Sequence, residues 1–526
     1  MTAQTVPQTT RAERGGLRGN PWAVLVAIAF GVMMVALDGT IVAVANPAIG
    51  ESLGASLAGL QWVTHGYLLG LAVFLITAGK LGDRFGYRNT YLVGVVGFVL
   101  SSVAIALSAG VAMLIAFRVL QGIFGALLMP AALGLLRSGF PPHKLGRAFG
   151  VFGSILGAAT AGGPIVGGVL VGTFGWEAVF FVNVPVGAAA LALGLWLLAP
   201  NRATDSGSRM DVPGIVLVSI AILALVWALV EAPTAGWTDP VTLASLAAAL
   251  VFGAAFVLWE RRPQEPLIPL GLFANPSISI GVVLMVLMAV SLMGSLFFVA
   301  FYLQGVLGMS PAQTGMQLLP MTALMALTSP VAGRVLDRVG ARTPTTAGLL
   351  LAGAGMFLLS RLDTDTGTVY LSAAFVLLGT GLSLVMTGST AAIVGNAPVR
   401  FAGVASAVQQ AAMQLGGSLG TAVLGAVMSA TIISTLPGHF AAAGLAEPAS
   451  GELADMQSTI AQGGAVVPGG ATAEVARAVT EASNLAFIDG LQWAFGIAAV
   501  LMLLAAGLSL FMRGGRPDGG EPVVHV

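Results

Sequence analysis

The chain has 526 residues, with 22 basic and 22 acidic side chains and no net charge. Only 8% of it is charged and 57% is apolar, against about 25% charged in soluble proteins, and a mean hydropathy of +0.94 makes lipid its natural solvent. Zero cysteine excludes disulfides, thiolate metal sites and cysteine nucleophiles, and the balanced charge points to no nucleic-acid partner.

Residues 1–20 are a polar start carrying Arg11, Arg14 and Arg18. The apolar run that follows exceeds the roughly 7–15 residues of a signal-peptide core and holds Asp38, so it reads as a membrane span. A spanning helix needs about 20 apolar residues. Fourteen such runs follow in chain order, centred near Met33, Leu71, Gly97, Leu120, Ala158, Ala188, Ala221, Leu250, Ser291, Ala323, Ala352, Ser383, Gly416 and Ala499. Span 1 contains Asp38 in LDGTIVAVANP. Span 2 has His65 near its outer end, read as a hydrogen-bonding interfacial residue with a second titrating role as the alternative. After span 2 comes GKLGDRFGYR, from Gly79 to Arg88, a charged turn in a charge-poor chain.

Span 4 contains Arg118 in RVLQG. Intramembrane charges are costly and mark ion or substrate paths. At 1.5 Å per residue, Asp38 and Arg118 lie at one depth, about 10 Å from the outer end, which permits pairing. A structural ion pair is the alternative to a transport role. Span 5 reads GSILGAATAGGPIVGGVL; Gly153 and Gly157, then Gly163 and Gly167, are four apart, with Gly168 beside them. That spacing offers a smooth face to a neighbouring helix, and Pro164 removes a backbone donor and bends the span. Spans 7 and 8 form an insert reached through NRATDSGSRMD. After span 10 comes GRVLDRVGAR, from Gly333 to Arg342, which repeats the charged turn with Asp337 and Arg338 where the first has Asp83 and Arg84. Span 13 offers Gln409, Gln410 and Gln414 but no acid. A long outer segment follows it, within which TAEVARAVTEA is expected as a short surface helix.

With the N-terminus in the cytoplasm and the spans alternating, 19 of the 22 basic residues fall inside, two fall outside and Arg118 is buried, as the positive-inside rule requires. Both charged turns are then cytoplasmic, each after the second span of a six-helix unit, the arrangement of a two-lobed secondary transporter. No P-loop is present, so no ATP is used by that route. The four histidines lack zinc spacing, and paired intramembrane carboxylates or a nucleophile elbow are missing, which disfavours an enzyme.

The turn at Gly79 resembles the loop motif of the major facilitator superfamily. RVLQG is similar to its fourth-helix motif and GAATAGGPIVGG to its antiporter motif. LDGTIVAVANP and WEAVFFVNVPVG resemble signatures of the fourteen-span drug:proton antiporters of the EmrB/QacA type, over about residues 20–512. Two departures are Ala43 where the family has Asn, and Asn46 at an apolar position. The resemblance implies an all-α membrane protein: a tail (1–20), a six-helix lobe (21–200), a linker with two inserted helices (201–270), a second six-helix lobe (271–512) with an external loop (434–487), and a tail (513–526). It implies alternating access in the inner membrane with both termini cytoplasmic, proton influx driving export of lipophilic compounds, and no cofactor or metal beyond the proton gradient. Protons, membrane lipids and a small lipophilic substrate are then the partners. Asp38 and Arg118 fall on the coupling positions. Gly79, Asp83, Arg84, Gly86, Arg88, Asp337 and Arg338 form conformational latches, Asp83 facing the start of span 13. Gly153, Gly157, Gly163, Pro164, Gly167 and Gly168 make up the antiporter-motif helix. Tyr67, Gln121, Asn183, Met293, Phe297, Gln409, Gln410, Met413 and Gln414 are the candidates for lining a pocket of apolar and aromatic groups with a few polar ones. A lipid flippase and a proton-coupled uptake symporter are the alternatives.

Overall fold

A computed structural model describes residues 20–55, 57–199, 211–262, 266–446, 456–457, 459–467 and 471–513. Residues 1–19, 200–210 and 514–526, which take in nearly all of both tails and of the polar stretch from Asn201, lie outside the described residues. Among the described residues there is helix and no strand. The long helices are α1 Pro21–Leu53, α2 Leu57–Phe85, α3 Tyr87–Ala106, α4 Val111–Gly139, α5 Leu145–Phe174, α6 Asn183–Leu197, α7 Val212–Ala235, α8 Pro240–Trp259, α9 Pro276–Phe301, α10 Pro311–Val339, α11 Arg342–Leu359, α12 Thr368–Thr390, α13 Ala402–Ala442 and α14 Ala473–Ser509. One turn, Ala178–Phe181, leads into α6.

Local chemistry sets the helix starts. Asn20, Asp211, Asp239, Asn275, Ser310 and Thr472 each accept a bond from a backbone N–H of the first turn, and proline occupies an early position in α1, α7, α8, α9 and α10, where its missing N–H costs nothing. Among the described residues, thirteen segments are long and apolar enough to cross a membrane. The expected span near Ala352 is the 18-residue α11, whose polar opening RTPTT lowers its hydropathy and keeps it from that set.

The outer segment after span 13 differs from expectation. Helix α13 runs 41 residues and α14 runs 37. At 1.5 Å per residue they are about 60 and 55 Å long, well beyond a hydrocarbon core of about 30 Å. Residues up to Ala442 and from Ala473 are therefore helix, and TAEVARAVTEA is the opening of α14 rather than a separate surface helix. Alanine-rich sequence carries α14 past the bilayer, whereas α13 continues through Pro437 and Gly438. Beyond it, His439 Nε2 lies 2.7 Å from Asp489 Oδ2 and joins the two.

The first six helices and the last six meet at the end where α1 begins and α14 finishes. There Leu128, Leu136, Ala148 and Phe149 of the first half share one apolar cluster with Leu336, Ile393, Val394, Ala402 and Ala405 of the second. At the far end, the cluster of Ile41, Ile49, Val63, Leu114, Trp176 and Phe180 contains first-half residues only. The α5–α10 contact shows the same divergence. A Cβ on Gly150 would strike Ser329, one on Gly157 would sit 3.8 Å from Ala326, and one on Gly162 would meet nothing within 4 Å. The halves are thus closed at the termini end and parted at the other.

Both charged turns lie in the closed contact. Asp83 Oδ1 accepts from Gly403 N at 3.0 Å and Oδ2 from Val404 N at 3.2 Å, while the Tyr87 hydroxyl lies 2.6 Å from Oδ1. Asp337 Oδ1 accepts from Gly146 N at 3.0 Å, with Arg147 Nε 3.6 Å from Oδ2. Each acid sits at the N-terminus of a helix in the opposite half. Gly79 and Gly333 let the backbones touch: a Cβ on Gly79 would lie 2.6 Å from Gly403 O, and one on Gly333 would strike Gly146 O. Gly86 and Gly340 adopt φ of 88° and 80°, which L side chains resist. Arg88 Nε donates to Leu198 O at 2.9 Å, Arg84 lies over the Phe85 ring, and Arg338 is exposed. The Gly79→Val variant is expected to wedge α2 from α13. A cysteine at Val404, fully buried here, should then react with a thiol reagent several-fold faster than in the Gly79 background; equal rates would show that the contact does not hold this end shut.

Candidate functional site

Asp38 on α1 is 0% exposed and Arg118 on α4 is 1% exposed. Arg118 Nη1 lies 2.6 Å from Asp38 Oδ2, so the shared depth read from the sequence corresponds to a direct ion pair. The same nitrogen donates to Gln121 Oε1 at 2.6 Å, and Nε donates to Val63 O at 3.1 Å. The guanidinium lies over the Tyr67 ring at 4.3 Å and the Phe180 ring at 5.8 Å, a cation–π setting that compensates lost hydration.

The second carboxylate oxygen is equally occupied. Asp38 Oδ1 accepts from Gln121 Nε2 and Asn183 Nδ2, both at 3.1 Å. Ser102 Oγ accepts from the same two amides, at 3.2 and 2.9 Å, and donates to Phe180 O at 2.9 Å. The residues come from α1, α3, α4 and the start of α6. Burying two charges costs several kcal/mol per ion unless the remaining lone pairs and protons find partners, and this network supplies them. Asp38 itself has no exposed surface in this conformation.

Three of the nine pocket candidates, Tyr67, Gln121 and Asn183, therefore contact the ion pair rather than an open cavity. Gln121 and Asn183 bond the carboxylate directly, and Tyr67 covers the guanidinium. The other six lie on α9 and α13. Met293 and Phe297 are exposed on α9, and a Cβ on Gly417 of α13 would be 3.2 Å from Met293 Cγ. Gln410, Met413 and Gln414 are half-buried, while Gln409 is buried, donates to Thr390 Oγ1 at 2.8 Å and keeps its carbonyl oxygen unpartnered. Ser102 was not a candidate, and a serine in an apolar span carries no distinguishing signal. The carbonyl of Val63 could not be read from side chains at all.

The α5 glycines divide between two neighbours. Gly153 and Gly157 face Ser329 and Ala326 of α10; Gly163 and Gly167 face Thr40, Ile41 and Val44 of α1; Gly168 meets nothing within 4 Å. Pro164 lies in the helix, and its side chain is outside the described residues. Any Cβ on Gly163 would strike Thr40 Oγ1, two residues from Asp38. His65 is half-buried and lines a small cleft with Trp62, Trp227 and Glu231 between α2 and α7. No group of three or more potential metal ligands occurs among the described residues.

Removing the Gln121 amide leaves both Asp38 and Arg118 short of a partner. An unmet buried polar group costs about 1–3 kcal/mol, more for a charged one. Gln121→Ala should lower the melting temperature of purified protein more than Ser102→Ala, which loses bonds to neutral groups only. Equal losses would contradict the central place given to Gln121.

A family model described as Major Facilitator Superfamily matches residues 28–421. The tetracenomycin C resistance and export protein of Streptomyces glaucescens is 53% identical over 508 residues, spanning 96% of this chain and 94% of that protein. The puromycin resistance protein pur8 of Streptomyces alboniger is 37% identical over 80% of this chain and 84% of its own length. The multidrug efflux pump LfrA of Mycolicibacterium smegmatis is 32% identical over 95% and 97%. Among solved structures, the proton:xylose symporter XylE superposes with a TM-score of 0.61 at 14% identity, covering 95% of this chain and 97% of that one, a likeness of fold alone.

Proposed function

This chain belongs to the major facilitator superfamily, and on that footing we propose that it exports lipophilic, antibiotic-like compounds in exchange for protons. It is a multi-pass membrane transporter, not an enzyme. Export is supported by relatives named for drug resistance and efflux, one of them similar over nearly the whole chain. Proton coupling rests chiefly on one observation, a fully buried carboxylate paired with a fully buried guanidinium.

The basic-residue asymmetry places the termini end in the cytoplasm. The conformation described above is then closed to the cytoplasm and parted outward. The lobes comprise residues 21–200 and 271–512, with 201–270 as linker and insert, and the protein sits in the cell's inner membrane. Proton entry from outside neutralises Asp38 and releases Arg118 from it; the freed charge destabilises the present packing and favours the opposite state. There the Asp83 and Asp337 latches part, substrate enters from the cytoplasmic leaflet, and Arg118 returns to the carboxylate as the proton leaves. Gln121 and Asn183 hold the carboxylate for Arg118, while the exposed apolar surface of Met293 and Phe297 and the glutamines of α13 meet substrate. Lacking an acid there, the pocket favours neutral or weakly charged amphiphiles over dications.

Accumulation of a panel of dyes and aromatic antibiotics in a pump-deficient host tests this. The wild-type chain should lower accumulation, an uncoupler should restore it, and Asp38→Asn, which mimics the protonated acid permanently, should abolish export at normal membrane abundance. Export that survives the uncoupler would contradict proton coupling, and resistance confined to dicationic biocides would contradict the substrate class. Arg118→Lys keeps the charge but loses the planar fork and should retain partial activity.

A further inference from the structure

A pair of buried acids lies far from Asp38, at the base of the inserted hairpin. Asp211 precedes α7 and Glu260 follows α8; they are 7% and 4% exposed. Asp211 Oδ1 accepts from Gly214 N at 3.1 Å and from the Trp259 indole at 2.8 Å. Glu260 Oε1 accepts from Leu267 N at 3.1 Å, and the same carboxyl meets the Ile268 amide. The other two oxygens, Asp211 Oδ2 and Glu260 Oε2, are buried with no donor, yet the two side chains are within hydrogen-bond reach of each other. Ionised carboxylates only accept hydrogen bonds, so two of them cannot bond to one another. A single proton between them turns one into a donor and accounts for the contact.

The location gives that proton leverage. Val218, Ile222 and Val226 of α7 and Phe256 of α8 pack with Leu267 and Ile268 against Ala72 and Ile76 of α2 and Val404 and Ala411 of α13. Helices α2 and α13 are the two that the Asp83 latch joins across the halves. The insert therefore lies along the seam that must shear when the halves rock, and the acid pair ties both ends of the insert to the segment leading into the second lobe. We propose that Asp211 and Glu260 form a second proton-binding site, whose one shared proton clamps the base of the inserted hairpin and sets how readily the α2–α13 seam opens.

The surroundings favour the protonated form. Burial first, and the Asp211 carboxylate second, push Glu260 from its ordinary range up to about 7, opposed by the Leu267 and Ile268 amides. Arg261 and Arg262 are exposed. On α2 the charged groups at this end are Lys80, Asp83 and Arg84, of which Lys80 acts on Asp83 and Arg84 lies over Phe85. Arg400, before α13, lies over Phe401, and residues 266–275 carry no titratable side chain. Elsewhere on the insert the described charges are Glu231 and Asp239, at the far end. An acid with a raised value holds its proton more tightly in the folded state, so the clamp is complete below about pH 7 and loosens as pH rises through that value.

The test uses full-length protein in lipid nanodiscs with Asp38→Asn throughout, so that Asp38 adds no titrating acid. Infrared difference spectra from about pH 5 to about pH 9 should show a protonated-carboxyl band lost with a midpoint near 7. Glu260→Gln, whose amide donates to Asp211 at every pH, should lack that component. Hydrogen exchange at residues 267 and 268, corrected for intrinsic rates, should quicken about tenfold above the midpoint in the Glu260 protein and stay flat in the variant. An identical titrating band in both proteins would overturn the proposal. So would a band removed at fixed low pH by added calcium, which would make the pair a cation site. Neither readout depends on export, so failure here is distinguishable from failure of the transport assignment.

Discussion

An ion pair with almost no contact with water governs the first half of this protein. Asp38 and Arg118 together expose about 1% of their surface, and charges so placed are tolerated only when every lone pair and proton is met. Four side chains and one backbone carbonyl from neighbouring segments meet them. The consequence is a packed unit that cannot be adjusted at one point without leaving a charge unpaired, and removal of one partner from such a pair costs about 3–5 kcal/mol. On the proposed mechanism that stiffness makes protonation of one carboxyl a large perturbation, which shifts α4 against α1 and the helices that pack on them.

Where the helices follow to is set by the closed end. Two acids, one per half, each cap a helix of the other half, with a glycine beside each so that backbones touch. A carboxylate at a helix N-terminus gains about 0.3–1 kcal/mol when exposed and up to about 2 kcal/mol when partly buried. Such energies bias an equilibrium without freezing it. On the proposed mechanism the Asp38 network and the latches therefore act on different scales, one strong and switched by a proton, the other weak and reversible at every cycle. The α5 glycines connect them physically, two facing α10 across the halves and two facing α1 beside Thr40.

Much of this was legible in the sequence for identifiable reasons. Apolar run length and basic-residue placement gave the spans, and two charges at one depth permitted the ion pair that the structure shows. The repeated Asp-Arg turns stood out in so charge-poor a chain, and it was the resemblance to the major facilitator loop motif that implied Asp83 faces the start of span 13. Other features depend on rotation about helix axes, which spacing along one helix does not reveal. Gln121 and Asn183 point to Asp38 rather than into a pocket, and Gly153 and Gly163 face different helices. Ser102 was invisible because serine is common in small-residue spans. The helical extensions beyond the bilayer were missed because polar residues and, in α13, Pro437 and Gly438 interrupt the apolar run while the backbone stays helical. Asp211 ends a polar stretch and Glu260 adjoins Arg261 and Arg262, so neither stands out in the sequence; contacts with Gly214 and Trp259 for the one and Leu267 for the other accompany their burial.

The central claim is that the transported proton resides on Asp38. Proton release when a transported drug is added to detergent-purified protein, followed with a pH indicator in weak buffer across about pH 5 to 9, measures it directly. The account predicts release by the wild-type chain and none by Asp38→Asn, with drug binding retained in the variant. Undiminished release by Asp38→Asn would place the proton on another group and contradict the account.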